Sequence, residues 1–455
     1  MSRILIQKAL IAPLVTLPEL TSSEQLWFTG DILIEGQYIK AVGKDLSGYC
    51  SAGGGSGSGK EAGTLAEKGN LTVLNGQDYL VFPGFVNCHT HAAMTMLRGY
   101  ADDLPLMIWL EQKIWPREAF LEKGDIYWGS QLAVLEMLKS GTTTFADMYF
   151  YMEETAQVAL EAGIRACLSR GMVGAGPNRE TAVQESESLV QTWHGQGEGR
   201  ISCMFGPHAP YTCPPEYLKR VMALADTYGV GLHIHLAETR QEVEDIRRQY
   251  GLRPIELMES IGLFDGRHVL AAHCVHLAEN EMAILARHQV GIAHNPESNM
   301  KLASGIAPVP QLLAHGAVVG LGTDGAASNN NLDMLEEMRS CALLHKVAQM
   351  DPTVMPAPLV LELATKRGAA ALGLKDTGSL APGQKADLVM LKLREPHLTP
   401  LHDPIANLIY AARSTDVQTV IVDGRIVMKD RHMLTMDEER ILYEAAVRGR
   451  ALVER

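Results

Sequence analysis

The residues with the clearest capacity for chemistry are histidines, and two of them stand close together in the first quarter of the chain. His89 and His91 lie two positions apart in the segment PGFVNCHTHAAM, residues 83–94. Residues i and i+2 of a β-strand point to the same side. Two imidazoles at the end of one strand can therefore share one metal ion. In a chain with 16 histidines, this pair alone does not establish a metal site.

Further candidate ligands follow the ends of later predicted strands. The segment HIHLAE (233–238) supplies His235 and Glu238, AAHCVH (271–276) supplies His273, and LGTDGAASNN (321–330) supplies Asp324. The carboxyl ends of the strands in an α/β barrel meet at one mouth. Imidazole and carboxylate groups suit Zn²⁺ or Fe²⁺. The pattern therefore predicts a metal site assembled from several strand ends.

The strands and helices that must position these residues are predicted from the pattern of residues 81–323, in which apolar runs alternate with amphipathic segments. Short buried strands separated by helices are typical of βαβ units and a parallel sheet. If residues 85–91 form the first strand, the count is near eight. That number favours a closed (β/α)₈ barrel over an open sheet.

Both ends of the chain have β character, so the predicted fold class is α/β, a (β/α)₈ barrel with a small β-sandwich domain built from both ends. We assign residues 1–82 to the first part of the sandwich, 83–373 to the catalytic barrel, and 374–455 to the second part and a terminal helix. A Gly/Ser-rich insertion near residues 48–69 is predicted to be a flexible surface loop. It lacks the GK[ST] sequence and the strand-to-helix context of a phosphate-binding loop.

Composition excludes several classes of protein. A chain of 455 residues that is 46% hydrophobic and 20% charged can bury a sizeable core, which excludes global disorder, a collagen-like fibre and a disulfide-stapled miniprotein. A formal net charge of −13 without a basic run argues against nucleic-acid and anionic-membrane partners. No uncharged apolar stretch reaches the ~18 residues of a membrane span. The 7 cysteines, with no CxxC pair, predict reduced thiols and a cytoplasmic protein.

As a set, these motifs resemble the amidohydrolase superfamily, and more narrowly the 5′-methylthioadenosine/S-adenosylhomocysteine deaminases of its chlorohydrolase-like deaminase group. The resemblance covers nearly the whole chain except the Gly/Ser insertion. It is carried by PGFVNCHTHAAMTMLRGYADDLPL, SGTTTFADMYF, GPHAPYTC, HIHLAET, AAHCVHL, AHNPESNMKLASGIAPV and LGTDGAASNN. The resemblance also suggests a homo-oligomer.

The resemblance implies one divalent metal per subunit, Zn²⁺ or alternatively Fe²⁺, held by His89, His91, His235 and Asp324. Spacing does not choose between His233 and His235, which share a face of their strand. The choice of His235 comes from matching HLAE to the family pattern, which leaves His233 as a packed histidine. Binuclear relatives carry a carboxylated lysine at the end of the fourth strand. Here that strand ends in FGPHAP without a lysine, which favours one metal.

The implied reaction is hydrolytic removal of the C6 amino group of adenine in 5′-methylthioadenosine, S-adenosylhomocysteine or adenosine. A bound divalent metal lowers the pKa of a water towards ~7 and supplies hydroxide at neutral pH. Asp324 would accept the proton of that water, and Glu238 would protonate the ring nitrogen beside the reacting carbon. His273 would polarise or hold the hydroxide. Zinc deaminases of a different fold also use a glutamate that is not a ligand as proton shuttle.

The resemblance also implies contacts to a small nucleoside substrate, made in part by Glu238 and Asp324. Glu118, in WPRE, would accept two hydrogen bonds from the vicinal ribose hydroxyls. The other expected contacts are Arg170 to the ribose or an amino-acid tail, Arg179 to a carboxylate, His208 to the substrate, and Ser298 with Asn299 in the base pocket.

Two alternatives stay open. Another mononuclear amidohydrolase, such as a guanine-type deaminase or an s-triazine chlorohydrolase, would keep the metal residues and change the pocket. Glu118 distinguishes this alternative from a nucleoside deaminase, because a free base or a triazine offers no diol for Glu118 to bind. The second alternative is a catalytically silent metal- or nucleoside-binding protein. Glu238 and His273 argue against it, because binding alone needs no proton shuttle.

Overall fold

The computed structural model describes residues 2–15, 17, 26–49 and 71–455, so most of the predicted Gly/Ser insertion lies outside the described residues. The strands are β1 (Arg3–Ile11), β2 (Phe28–Glu35), β3 (Tyr38–Gly43), β4 (Leu71–Asn75), β5 (Tyr79–Pro83), β6 (Phe85–Thr90), β7 (Thr142–Tyr149), β8 (Arg165–Met172), β9 (Ile201–Pro207), β10 (Leu232–Leu236), β11 (Val269–His273), β12 (Gly291–His294), β13 (Val318–Leu321), β14 (Leu388–Lys392), β15 (Val417–Val422), β16 (Arg425–Lys429) and β17 (His432–Met433).

The helices pack around the barrel, and the last of them is the final element of the chain. They are α1 (Leu106–Trp109), α2 (Trp115–Glu118), α3 (Lys123–Lys139), α4 (Met152–Ala162), α5 (Arg179–Trp193), α6 (Pro215–Tyr228), α7 (Arg240–Tyr250), α8 (Pro254–Ser260), α9 (Glu279–Arg287), α10 (Pro296–Lys301), α11 (Val309–Ala314), α12 (Met334–Gln349), α13 (Ala357–Leu363), α14 (Lys366–Ala371), α15 (Pro404–Tyr410) and α16 (Glu438–Glu454). A π-helical turn, Leu110–Ile114, joins α1 to α2.

Eight of the described strands, β6 to β13, pair in chain order as a parallel barrel. The first and last strands of this order, β6 and β13, approach each other at their carboxyl ends. The backbone N–H of Thr323 donates to Asn87 Oδ1 at 3.0 Å, and that of Asp324 donates to the carbonyl oxygen of His89 at 2.9 Å. A Cβ on Gly322 would lie 2.8 Å from the backbone nitrogen of His89, so only glycine permits this approach. The predicted (β/α)₈ barrel is confirmed.

Alternation along the strands decides which side chains enter the barrel. In β10, Leu232, Ile234 and Leu236 belong to the apolar core that the strands share with the surrounding helices. Successive side chains of a strand point to opposite faces. His233 and His235 therefore point into the barrel.

A second sheet is built from both ends of the chain, as the sequence predicts. Among the described residues its order is β17-β16-β15-β14-β5-β1-β2-β3, and β4 pairs with β1. Arg165 of β8 links it to the barrel through buried ion pairs of 2.9 Å to Asp387 and 3.3 Å to Asp423. The predicted terminal helix is present as α16, and β15 and β16 form an antiparallel hairpin in this sheet. The exact domain limits stay a prediction.

Two further features concern the thiols and the helices. The cysteines of the described ranges are all buried and free of disulfides, namely Cys88, Cys167, Cys203, Cys213, Cys274 and Cys341. Within the same ranges, no helix combines the length and apolar character needed to cross a membrane.

Candidate active site

The four predicted ligands converge at the carboxyl-terminal mouth of the barrel. His91 Nε2 lies 3.3 Å from Asp324 Oδ1, and His89 Nε2 lies 3.4 Å from the same oxygen. His235 Nε2 lies 3.3 Å from His91 Nε2. Three imidazole nitrogens and one carboxylate oxygen therefore face a common point.

The tautomers of two of these histidines are fixed by backbone carbonyl groups, which can only accept hydrogen bonds. His91 Nδ1 donates to the carbonyl of Met148 at 2.5 Å, and His235 Nδ1 donates to the carbonyl of His208 at 2.8 Å. The facing Nε2 atoms then both carry lone pairs, which repel each other at 3.3 Å unless a cation lies between them. His89 Nε2 is buried and has no hydrogen-bond partner in the described part of the chain. These donors fit a divalent metal bound by imidazole and carboxylate.

The structure separates the two histidines of HIHLAE. His235 reaches the ligand cluster, whereas His233 Nε2 lies behind it, 2.8 Å from His89 Nδ1. The other ring nitrogen of His233 lies 3.4 Å from Ser169 Oγ. Burial lowers the pKa of His89 to about 4 and that of His233 well below its usual value. Both rings are therefore neutral at pH 7, as metal binding through His89 requires.

Asp324 is held at the end of β13 with its backbone in the left-handed region, at φ 63°. Its Oδ2 accepts hydrogen bonds from Ser298 Oγ at 2.6 Å and Ser328 Oγ at 2.8 Å, which leaves Oδ1 to face the histidines. Burial by itself would raise the pKa of Asp324, but the close approach of the His89 imidazole and the electrostatic influence of His91 and His273 lower it well below its usual value. The carboxylate is therefore ionised at neutral pH. The hydroxyl of Ser298 is thus engaged with Asp324, and Ser298 is not among the residues that line the narrow recess beside the cluster.

Glu238 and His273 lie side by side next to the ligand cluster. Glu238 Oε2 is 3.8 Å from His273 Nε2, and Glu238 Oε1 accepts from Ser304 Oγ at 3.3 Å. Burial raises the pKa of Glu238. Burial alone would lower the pKa of His273, but the charges of Glu238 and Asp324 outweigh it and raise that pKa. His273 Nδ1 donates to the side-chain oxygen of Asn299 at 2.9 Å, so this asparagine orients the histidine.

Glu242 is a buried residue of this site that the sequence reasoning missed. Its carboxylate accepts the backbone N–H groups of Ala237 and Glu238, both at 2.8 Å. Ala237 has φ 53°, a left-handed conformation that is unfavourable for alanine. Glu242 thereby stabilises the turn that aims Glu238 at the cluster. The sequence held a signal, because Thr239 and Glu242 have the spacing of a capping box and Thr239 caps α7.

A cavity of about 570 Å³ leads away from the ligand cluster. It shares His91 and His208 with a narrow recess that contains Glu238, His273 and Asp324. A cavity of this size is large enough for a small organic ligand. The reactive groups therefore lie at the inner end of a binding site that opens to solvent at its outer end.

Three of the predicted substrate residues line this cavity, namely Glu118, Arg170 and His208. Glu118 Oε1 accepts from the hydroxyl of Tyr149 at 2.7 Å, and burial raises the pKa of Glu118. His208 Nδ1 lies 2.9 Å from Thr212 Oγ1, and burial lowers the pKa of His208 to about 4. Arg170 Nε donates to Glu185 at 2.7 Å.

The structure does not bring Arg179 to the cavity. Its side chain is 60% exposed at the start of α5 and lies 3.5 Å from Glu180. Arg179 does not line the cavity wall, so it would not contact a carboxylate bound there. The role expected for Arg179 therefore has no geometric support.

A second cluster of potential ligands, His294, Cys341 and His345, packs β12 against α12. Its ligand atoms lie within 4.8 Å of one another, and the two Nε2 atoms are 3.1 Å apart. A metal-binding histidine normally donates its other ring N–H to an acceptor, as His91 and His235 do. His294 Nδ1 is buried and makes no such bond within the described residues. Burial lowers the pKa of both histidines, so a neutral N–H···N hydrogen bond accounts for this cluster.

The parallel barrel, with histidines and an aspartate converging at its carboxyl-terminal mouth, defines a metal-dependent hydrolase. The chain belongs to the amidohydrolase family, whose model matches residues 80–427. The predicted family resemblance is thus confirmed.

Similarity to individual proteins extends over most of the chain. A protein of Syntrophomonas wolfei named 5-methylthioadenosine/S-adenosylhomocysteine deaminase is 58% identical over 397 residues, which cover 87% of this chain and 92% of the relative. The protein of the same name from Pelotomaculum thermopropionicum is 61% identical over 382 residues, covering 84% and 88%.

Solved structures of two enzymes share the fold. An adenosine deaminase from Xanthomonas campestris with bound zinc matches with a TM-score of 0.89 and 33% identity, covering 99% of this chain and 98% of that one. An atrazine chlorohydrolase from Arthrobacter aurescens in complex with zinc matches with a TM-score of 0.86 and 26% identity, covering 99% and 100%.

Proposed function

We propose that the chain catalyses hydrolytic deamination of the adenine C6 amino group in 5′-methylthioadenosine, S-adenosylhomocysteine or adenosine. The products are ammonia and the inosine analogue. The observation that carries this proposal is the pairing of Glu238 with His273 at 3.8 Å, at the inner end of a cavity whose wall includes Glu118. The relatives that bear a deaminase name, at 58% and 61% identity, support it.

We further propose that His89, His91, His235 and Asp324 hold one Zn²⁺ per chain. Such an ion, when bound, lowers the pKa of a water towards ~7 and supplies hydroxide at neutral pH. The three imidazoles face the common point with unprotonated nitrogens, and Asp324 is ionised. These are the protonation states that metal binding requires.

The remaining chemistry belongs to the side chains. Burial raises the pKa of Glu238, which favours its protonated form as the donor to the ring nitrogen beside C6, and protonation there makes C6 electrophilic. Asp324 accepts the proton that the attacking water loses. The amino group must gain a proton to leave as ammonia, and these two carboxyl groups are positioned to return it. His273, oriented by Asn299, holds the attacking oxygen in place.

The Glu242→Gln variant tests the positioning of Glu238. One acceptor oxygen becomes an NH₂ group that faces a backbone N–H, so one of the two hydrogen bonds at the Ala237 turn is lost. We expect kcat to fall about tenfold, the lower end of the effect seen for groups that orient a metal site, with KM and bound zinc unchanged. Glu244→Gln, an exposed neighbour on α7, is the matched control. Equal loss of kcat and of bound zinc would show that Glu242 instead supports the whole barrel mouth.

The nucleoside assignment is tested at Glu118. Tyr149 donates to its Oε1, and among the described residues no hydrogen bond is made to Oε2, which can therefore accept from the ribose hydroxyls. Hydrogen bonds to a charged group contribute about 1.5–3 kcal/mol. We therefore expect Glu118→Gln to lower kcat/KM for 5′-methylthioadenosine by about 10- to 100-fold.

Two controls make the Glu118 test specific. The kcat/KM for 2′,3′-dideoxyadenosine, which has no diol, should be low in the unmodified enzyme and unaffected by the substitution. Glu111→Gln, at an exposed glutamate of the π-helical turn that precedes α2, should change neither value. An equal loss on both nucleosides would contradict a ribose contact.

An s-triazine chlorohydrolase is the second candidate, since the atrazine chlorohydrolase shares the fold at 26% identity. A triazine offers no hydroxyl to Glu118 Oε2, the carboxylate oxygen that Tyr149 does not occupy. Buried polar groups left unpaired reduce affinity. The nucleoside is therefore the better match to this wall.

A further inference from the structure

Two segments at the barrel mouth hold Asp324, and one buried carboxyl group connects them. The loop after β13 carries Ser328, and α10 carries Ser298; each serine hydroxyl donates to Asp324 Oδ2. The connecting side chain is that of Glu337, which lies in the first turn of α12 and is fully buried. Its two oxygens accept hydrogen bonds from different segments.

One oxygen of Glu337 holds the loop after β13. Asn329 Nδ2 donates both to Glu337 Oε1 at 2.5 Å and to the carbonyl oxygen of Thr323 at 2.8 Å. Thr323 directly precedes Asp324, whose backbone lies in the left-handed region. Residues other than glycine adopt this conformation only where their surroundings maintain it. Glu337 therefore fixes, through Asn329, the backbone that presents Asp324 to the histidines.

The other oxygen of Glu337 holds α10. The backbone N–H of Glu297 donates to Glu337 Oε2 at 3.3 Å. The first N–H groups of a helix have no partner inside that helix. Within the described residues, Asn295 does not cap α10 with its side chain. Glu337 thus supplies, from α12, a cap for the helix that carries Ser298 and Asn299. We call the two hydrogen bonds of Glu337 the loop bridge.

The loop bridge depends on both oxygens of a costly buried group. In the described part of the chain, the donors to Glu337 are an amide and a backbone N–H, and no lysine or arginine pairs with it. Burial, together with the charge of Glu297, raises the pKa of Glu337 well above its usual value. Both oxygens can accept hydrogen bonds in either protonation state. Loss of either bond leaves a buried donor unsatisfied and separates the two segments.

We propose that Glu337 is a positioning residue for the reaction, which sets the place of Asp324 by joining α10 to the loop after β13. The inference rests on the proposed nucleoside deamination and adds the side chain that holds its proton acceptor in place. Asp324 is also a proposed zinc ligand, so zinc affinity reports its position independently of activity. A displaced Asp324 slows the chemical step and weakens zinc binding, whereas the wall at Glu118, and with it KM, stays unchanged.

The test compares Glu337→Gln with the unmodified full chain. The NH₂ group of glutamine cannot accept, so one bond of the loop bridge is lost. We expect the Kd for Zn²⁺ to rise about tenfold. At saturating zinc, kcat for 5′-methylthioadenosine should fall about tenfold with KM changed by less than about twofold, the scale for groups that support a metal site.

Two further variants make the comparison specific. Asn329→Ala cuts the loop bridge at its other end and leaves Glu337 in place. It should give losses of the same size, and it decides the question if Glu337→Gln does not fold. Glu336→Gln, at the exposed neighbour on α12, is the matched control and should change neither kcat nor the Kd for Zn²⁺.

Cobalt gives a signal that a purely structural role would not change, because the visible absorption of bound Co²⁺ follows the positions of its ligands. The bands of the Co²⁺-loaded chain should shift in Glu337→Gln and Asn329→Ala but not in Glu336→Gln. A lower Tm with unchanged kcat, zinc affinity and spectrum would overturn the inference. Failure of the unmodified chain to act on any nucleoside would refute the proposed function, and the zinc and cobalt measurements would still decide whether Glu337 positions Asp324.

Discussion

Replacement of Glu238 by glutamine should reduce kcat for 5′-methylthioadenosine by about 10²- to 10⁴-fold, the usual contribution of a general acid–base group. Glutamine keeps the shape of the side chain and removes the transferable proton. Glu238 lies 3.8 Å from His273, and its raised pKa favours the protonated form that the reaction needs. The variant should therefore bind zinc and substrate but not complete the proton transfers. Single-turnover ammonia release and zinc content, measured on the same sample, check both parts.

The same experiment separates an enzyme from a silent binding protein. A protein that only binds zinc or a nucleoside needs no proton shuttle, so its function would survive the Glu238→Gln substitution. Glu244→Gln, on the exposed face of α7, removes a carboxylate outside the cavity and is the matched control, with kcat expected to stay unchanged. Retention of more than about a tenth of the kcat by Glu238→Gln would remove Glu238 from the reaction, because a general acid–base group contributes far more than that.

The second large effect concerns the two inward-facing histidines of β10. His235→Ala removes a ligand, so we expect the purified chain to hold no stoichiometric zinc and to release no ammonia. His233→Ala removes the hydrogen-bond partner of His89 Nδ1 but leaves the ligand set intact. Loss of such an orienting partner typically weakens metal binding by about 10- to 100-fold. Zinc titration of both variants measures the difference.

Thermal unfolding gives an independent measure of zinc binding by the same two variants. A ligand at about 100 times its Kd stabilises the folded state by about 2.7 kcal/mol. Zinc should therefore raise the Tm of the unmodified chain and, at higher concentrations, that of His233→Ala, but not that of His235→Ala. The reverse order of the two variants would contradict the assignment of His235 as ligand.

The barrel and most of the site follow from the sequence because each motif lies at the end of a strand. Strands β6, β10, β11 and β13 of a parallel barrel deliver their carboxyl ends to one mouth, so His89, His235, His273 and Asp324 had to converge there. Spacing alone did not choose between His233 and His235; the family pattern selected His235, and the structure places His235 in the ligand cluster. Both side chains enter the barrel, and only their depth along β10 separates a ligand from its support.

The residues that sequence reasoning missed act through contacts between distant elements. Tyr149 is hydrogen-bonded to Glu118, 31 positions away, and Arg170 to Glu185, 15 positions away. No local sequence pattern predicts either pair. The hydrogen bond from Ser298 to Asp324, 26 positions away, is another contact that the sequence did not predict. Such contacts depend on how loops and helices pack on the barrel, which spacing along the chain does not specify.

The proposed deamination is tested most directly by ammonia release from the zinc-loaded chain, with 5′-methylthioadenosine, S-adenosylhomocysteine, adenosine, free adenine, guanine and a chloro-s-triazine as substrates. We expect turnover of the three nucleosides, with activity rising in proportion to zinc up to one equivalent per chain, and little or none for the free bases and the triazine. Turnover confined to a free base or the triazine, or full nucleoside turnover without metal, would contradict it.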